Sequence, residues 1–157
     1  MAIKISRFRM DLGNKPVRVG KISGADMIAD QTVAGLTMTF TAGAALAFGD
    51  VCYMGSDGKM EKGNADVVAT AFAFAMCADA TIAENADGNF LLFGFARNDA
   101  GWAWATKGQP LYLDATTPGT MTQAAPAGVN DVVQILGIAI TDNIVYFYPQ
   151  LAQVEHV

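Results

Sequence analysis

Charged residues, histidine and cysteine are all scarce in this sequence. Only 16% of its 157 residues are charged, against about a quarter in an average soluble domain. The single histidine, His156, leaves no histidine-based catalytic dyad or triad and no multi-histidine metal site within one chain. Cys52 and Cys77 are too few for a disulfide scaffold, and we expect both to be buried thiols. The sequence therefore predicts no catalytic, cofactor-binding or metal-binding residues, and a protein that is not an enzyme.

Long apolar runs are also missing. Thr, Gly or a charged residue interrupts each run before it reaches the roughly 20 apolar residues that cross a bilayer. Residues 1–7 have no apolar core after their charges, so the sequence predicts neither a signal peptide nor membrane association. We expect the chain to be made and used inside a cell.

Two glycine-containing segments superficially suggest ligand loops. Residues 55–60 have the wrong spacing for a phosphate loop, and no helical pattern follows them. Residues 85–89 place oxygen-bearing side chains at alternate positions, as Ca²⁺ prefers, but no bidentate acid follows at the expected distance. We interpret both segments as turns. A hydrolase that uses a pair of acids is the weakest alternative, because the aspartates lie in turn contexts.

The strongest pattern is the alternation of apolar and polar residues with a period of two, which is strict over residues 36–41. Short strands separated by frequent turns are typical of an all-β protein. Two short helices are expected, at residues 25–34 and 80–86. Pro110 is expected at the start of a strand, where its missing N–H is tolerated. Further strands are predicted at 67–76, 90–96, 132–140 and 144–148, and turns at 56–58, 86–89, 98–101 and 117–119.

An internal duplication divides most of the chain into two tandem repeats of about 55 to 60 residues. Residues 36–90 align with residues 91–149, Tyr53 matches Tyr112, and both copies open a late strand with Asp-Val-Val. One copy cannot bury its apolar face alone, so we expect the two to pack as a β-sandwich or barrel. The predicted organisation is an N-terminal arm at 1–30, a β domain at 31–150 and a C-terminal tail at 151–157.

Charge separates a basic arm from an acidic body. Residues 1–21 contain six basic residues and one acidic residue, a net charge of +5, whereas the remainder has four basic and fourteen acidic residues, a net charge of −10. Such a cationic segment commonly contacts a partner; the alternative is that it folds back onto its own body or onto a neighbouring copy. Nucleic acid is not expected, because the arm lacks a dense basic cluster and the body repels phosphate. The candidate contact residues of the arm are Arg7, Phe8, Arg9 and Arg18.

Trp102 and Trp104 lie two residues apart and therefore point to one face of an extended segment. Such a pair suits a platform for sugar rings, but burial in a core or a subunit interface is the favoured interpretation, because indole rings carry a large apolar area. The low charge predicts apolar surface patches that closed symmetry would cover. We therefore expect a homo-oligomer, and specifically a trimer, and include both tryptophans among the candidate partner-binding residues.

The repeated strings resemble those of small β-rich virion proteins of tailed phages, in particular the capsid decoration or cement proteins. The resemblance implies a non-enzymatic protein, often trimeric, that binds the major capsid protein on the outside of the shell and reinforces it. It also implies synthesis in the host cytoplasm, and it provides no catalytic residues. The alternatives are a phage tail, baseplate or fibre component and a carbohydrate-binding β module. The strings that carry the likeness are residues 45–53 and 58–60 in the first copy and 108–113, 119–121 and 135–139 in the second.

Overall fold

The protein is almost entirely β-structure, as the sequence predicts. The structure, a computed structural model, describes residues 9–11, 16–18 and 29–156. Within these residues the only helical element is a 3-10 turn, Val68–Thr70. The strands are β1 Arg9–Asp11, β2 Pro16–Arg18, β3 Thr32–Thr41, β4 Leu46–Ala47, β5 Val51–Met54, β6 Met60–Lys62, β7 Ala75–Cys77, β8 Thr81–Ile82, β9 Asp87–Arg97, β10 Pro110–Leu113, β11 Met121–Thr122, β12 Val132–Val133, β13 Ile135–Ala139, β14 Ile144–Phe147 and β15 Val154–Glu155.

Strand β9 is the centre of the main sheet. Its whole length pairs antiparallel with β3, while β14 pairs with its second half and β7 with its first half. Because β3 occupies one edge from end to end, β14 and β7 share the other edge. The sheet continues from β14 through β13 and β10 to β11, and from β7 through β5 to β6. Two branches of the sheet therefore extend from the same edge of β9: β14–β13–β10–β11 and β7–β5–β6.

Three glycines that lie in one row across four strands allow this sheet to curl. Gly137, Phe147, Gly94 and Gly35 lie opposite one another across β13, β14, β9 and β3. Gly94 has φ +142°, and a Cβ there would lie 2.5 Å from the carbonyl oxygen of Ala34. The strands can approach this closely only without side chains, and glycine in a strand permits a sharp bend. The result is a curled sheet that forms half a barrel.

Backbone hydrogen bonds join the far ends of the two branches of the sheet. The N–H of Val51 donates to the carbonyl of Gly119 at 2.9 Å, and the N–H of Gly119 donates to the carbonyl of Gly63 at 2.7 Å. These bonds close the curl around an inner core of apolar side chains, with a second core on the other face of the β5–β7–β9 region. The inner core includes Val51, Met76, Leu91, Leu111, Leu113, Leu136, Val145 and Phe147, and the second includes Leu46, Cys52, Met60, Cys77, Ile82 and Phe90.

Four of the five strand predictions are confirmed, and the fifth is wrong over most of its length. Residues 67–76 contain the 3-10 turn and only the start of β7. The predicted alternation is of large apolar residues with alanines, but the structure buries Ala71 and Ala73 and leaves Phe72 43% exposed. The backbone of Ala73 joins no strand ladder: its N–H bonds to the carbonyl of Ala71 at 2.9 Å and to the side chain of Gln134 at 3.1 Å. Alternating burial thus occurs here without a ladder.

Two further expectations need correction. Residues 80–86 are not a helix: they form β8 and a turn in which Asn85 has φ +65°, a conformation that ends regular structure. In the segment 25–34, the residues from 32 onward belong to β3, and residues 25–28 lie outside the described part. The turn expected at 86–89 lies earlier, at residues 84–85. Pro110 does begin β10, as predicted.

The strand order is compatible with a duplication. Tyr53 lies in β5, between the short outer strand β6 and β7. Tyr112 lies in β10, between the short outer strand β11 and β13. The tandem repeat and the domain boundaries stay predictions. The predicted tail contains β15, which pairs with β12, and His156 exchanges backbone hydrogen bonds with Asn130 and Asp131.

Candidate interaction surfaces

Of the six predicted partner-binding residues, four lie in the described part of the chain, where they form two neighbouring pairs. Arg7 and Phe8 lie outside the described residues. Arg9 and Arg18 lie directly opposite each other in the antiparallel β1–β2 pair, which forms a sheet of its own. Trp102 and Trp104 stand side by side, with ring centroids 5.9 Å apart and planes inclined by 37°.

The two tryptophans occupy a fixed loop after β9. The N–H of Trp102 donates to the carbonyl of Asn98 at 3.2 Å, and that of Trp104 donates to the carbonyl of Asp142 at 2.8 Å. Both side chains are half-buried and pack against the inner core, and the ring of Trp102 lies 6.4 Å from that of Phe48. Both tryptophans therefore make core contacts, one of the two roles favoured for them from the sequence.

A cleft of about 310 Å³ opens beside the two rings, and we call it the Trp cleft. One wall is glycine backbone: Gly49 has φ +88°, and a Cβ on it would meet the Trp102 ring at 3.1 Å. Asp50 also lines the cleft, and its carboxylate accepts from the Nζ of Lys62 at 2.9 Å and from the backbone N–H of Ala47 at 2.8 Å. The indole N–H of Trp104 is buried without a hydrogen-bond partner. The remaining lining residues are Phe48, Asn98, Gly101, Ala103, Gly119, Thr120 and Met121.

Aromatic side chains also cluster on the outer face of the sheet, opposite the inner core. Phe93, Phe95, Tyr146 and Tyr148 make edge, tilted and stacked contacts at centroid distances of 5.0 to 6.4 Å. Tyr148 is 52% exposed and Phe93 is 42% exposed. We call these four residues the outer aromatic patch. None of the four is among the sequence-predicted site residues, although the motifs Phe-Gly-Phe and Tyr-Phe-Tyr place both pairs at same-face spacing.

Aliphatic residues extend the outer aromatic patch in both directions. Leu36 lies opposite Phe93 and is 57% exposed. Ile138 lies opposite Tyr146 on β13 and is also exposed. Neighbouring strands share a face at opposed positions, so these residues form a continuous apolar surface. Contiguous apolar surface of this kind marks an interaction site in soluble proteins.

Burial and ion pairing shift the pKa of several titratable groups. Burial raises the pKa of the Cys77 thiol to about 11 and raises the pKa of Cys52 well above its usual value. Both cysteines are free and buried, which confirms their prediction as buried thiols. The half-buried side chain of Arg97 donates to both oxygens of the exposed Asp99 and lowers the pKa of that carboxyl.

The segment with the look of a Ca²⁺ loop uses its oxygens internally. The Nζ of Lys59 donates to Asn85 at 2.8 Å, and the hydroxyl of Thr41 donates to Asp87 at 2.6 Å. Among residues 9–11, 16–18 and 29–156, no three His, Cys, Asp or Glu side chains come close enough together to hold a metal ion. In the same ranges, no helix has the length and apolar character needed to cross a membrane.

Comparison of the chain with protein-family models, with curated proteins and with solved structures finds no match in any of the three.

Proposed function

We propose that this chain is a non-enzymatic structural protein that self-associates and binds the outside of a protein shell, the role of a phage capsid decoration protein. The observation that carries the proposal is the outer aromatic patch. Four aromatic rings with exposed Leu36 and Ile138 beside them lie on a sheet face that no other described element covers. Aromatic residues are enriched in protein interfaces, where they supply area with little loss of side-chain freedom.

The outer aromatic patch supports self-association, and the resemblance to decoration proteins supports a trimer as its form. An apolar surface shared by every copy is covered when the copies close into a ring. The major capsid protein is then the partner for the basic arm, whose six cationic residues suit an acidic surface. A protein that binds only the assembled shell stabilises that shell by mass action at each of its sites.

Self-association is tested at the most exposed ring of the patch. Tyr148→Glu places a charge within the apolar surface, so we expect light scattering to report a mass below that of the trimer formed by the unchanged chain. Val129→Glu is the control, because Val129 is even more exposed than Tyr148, at 75%, but lies in a loop outside the strands. Equal masses for all three proteins at high concentration would argue against an interface at the patch.

Binding to a shell is tested by electron cryo-microscopy of the parent particle. We expect density for rings of this chain on the outer surface of the capsid. Density confined to the tail, baseplate or fibres would replace the capsid role by the alternative of a tail component. A particle that lacks the chain altogether would refute a structural role in the virion.

The Trp cleft favours a second candidate, a carbohydrate-binding module. Two indole rings 5.9 Å apart provide stacking surfaces for sugar rings, and Asp50 and Asn98 are among the polar residues that line the cleft beside them. A glycan array tests this candidate: binding that is lost in Trp102→Ala but kept in Tyr148→Glu would support it. An array on which the unchanged chain binds no glycan would reject it.

A further inference from the structure

Strand β3 is the one long outer strand of the main sheet among the described residues. Its ten residues pair with β9 on one edge, and no other described strand pairs with its second edge. The residues from 35 to 39 are all exposed, with Leu36 at 57% and Met38 at 54%. A row of backbone N–H and C=O groups along such an edge is a template for another strand.

The other outer strands of this sheet are protected in the usual ways. Strand β6 is only three residues long and includes Glu61 and Lys62, and β11 has two residues. Short length and charge both discourage pairing with another chain. Strand β3 has neither protection, because its ten residues include no charged residue and no proline. This contrast indicates an edge that is used.

The sequence of β3 is complementary to itself in the antiparallel direction. Thr37 is the middle of the exposed run, and a two-fold axis through it places Leu36 opposite Met38 and Gly35 opposite Thr39 of the other copy. Opposed residues in an antiparallel pair share a face, so apolar side chains meet apolar ones. The Leu36 and Met38 side chains then continue the apolar surface that begins at Phe93.

We propose that β3 pairs antiparallel with β3 of a second copy across a two-fold axis at Thr37. The pairing goes beyond the proposed function, because it uses a strand edge and holds whether or not the chain binds a shell. On a shell it joins neighbouring rings, so that one bound ring favours the binding of the next. Failure of the pairing leaves the ring interface at Tyr148 untouched, and the two are measured separately.

The axis is tested with a cysteine at its centre. In Thr37→Cys the two introduced thiols face each other within disulfide distance, and Cys52 and Cys77 are buried and do not compete. We expect mild oxidation to convert most of the full-length protein to a covalent dimer on a non-reducing gel. Thr39→Cys is the matched control on the same strand and face, because the paired register separates its two copies by roughly 13 Å.

Each outcome decides the proposal. Little dimer from either variant, or equal amounts from both, overturns it, and more dimer from Thr39→Cys overturns the register. Dimers from Thr37→Cys that form only after deletion of residues 1–28 would show that the chain's own N-terminal segment covers the edge instead. In a second measurement, Thr37→Lys should weaken pairing by roughly two- to fivefold, because like charges oppose each other at the axis. Mixing it with an equal amount of Thr37→Asp should restore pairing.

Discussion

Gln134 shows how a single buried polar side chain can organise an irregular segment. It is fully buried, and its amide accepts from the N–H of Ala73 while donating to the carbonyls of Ala73 and Gln150 at 2.8 and 2.9 Å. These bonds replace the strand ladder that the segment around Ala73 lacks. The sequence around residue 134 does not indicate this role, because its partners, Ala73 and Gln150, are distant along the chain.

We expect Gln134→Leu to lower the free energy of unfolding by about 2 to 4 kcal/mol, because it removes the side-chain donor to the carbonyls of Ala73 and Gln150 and leaves the N–H of Ala73 only its bond to the carbonyl of Ala71. Urea denaturation measures the change. Gln150→Leu is the control: that side chain is exposed and makes one hydrogen bond, to the carbonyl of Tyr148, so its substitution should change stability by less than about 0.5 kcal/mol. Similar small effects of both substitutions would contradict the assigned role.

The buried thiols give the protein a stability that depends on pH in the alkaline range. The unfolded chain releases the Cys77 proton near its ordinary pKa of 9.0, whereas the folded chain keeps it until pH approaches about 11. The unfolded state therefore binds fewer protons between these values, and stability falls as pH rises through them. The raised pKa of Cys52 acts in the same direction.

Denaturation curves across this pH range should show full thiol-dependent stability below pH 9 and a progressive loss above it. The double variant Cys52→Ala, Cys77→Ala should be less stable overall, because it leaves small cavities in the second core, yet should show a smaller alkaline slope. An unchanged slope in that variant would assign the alkaline loss to other groups.

At the scale of elements, close contact between β3 and β9 depends on glycine. A Cβ on Gly94 would lie 2.5 Å from the carbonyl oxygen of Ala34 and 2.6 Å from the Cα of Gly35, and φ at Gly94 is +142°. Gly94→Ala should therefore lower the free energy of unfolding by more than about 3 kcal/mol, since backbone strain and a steric clash both contribute. Thermal or urea denaturation measures it.

Gly108 provides the control for that prediction, because it separates strain from crowding. Its φ is +77°, but nothing lies within 4 Å of the position that a Cβ would take. Gly108→Ala should cost about 1 kcal/mol, the strain of a left-handed backbone alone. If both alanine variants lost the same stability, crowding between β3 and β9 would be excluded as the cause.

At the scale of the whole molecule, we predict that the β domain folds without the N-terminal segment. The strands of that sheet lie between residues 32 and 147, and β1 and β2 pair only with each other among the described strands. Deleting residues 1–24 should leave the circular dichroism of the β domain unchanged but lower its occupancy on particles in co-sedimentation. The binding that remains should be less sensitive to salt, because the cationic residues are gone.

The full-length chain at matched salt concentrations is the reference for that experiment. Equal occupancy of particles by the deleted and the full-length chains would show that the basic arm contributes nothing to binding. A deleted chain that no longer folds would instead assign the arm to the stability of the β domain.

The candidate surfaces could be predicted from the sequence only in part. The pairing of Trp102 with Trp104 could be predicted, because residues two apart in an extended segment point to the same face. The outer aromatic patch joins rings from β9 and β14, which lie about fifty residues apart in the sequence and meet only through their pairing. Pattern alone shows that Tyr146 and Tyr148 share a face; it does not show which strand lies beside them.

The all-β class and most strands follow from the sequence by itself, because period-two alternation and turn residues act through the local backbone. The scarcity of charge likewise follows from composition and predicts apolar surface before any fold is known. The tertiary structure decided which apolar side chains of the sheet are buried in a core and which stay exposed in the outer aromatic patch. It also decided that residues 67–76 bury alternate side chains without a ladder, and that β3 keeps a free edge among the described strands. Those outcomes depend on hydrogen-bond partners distant in the chain, which compete for each segment only once the sheet has curled.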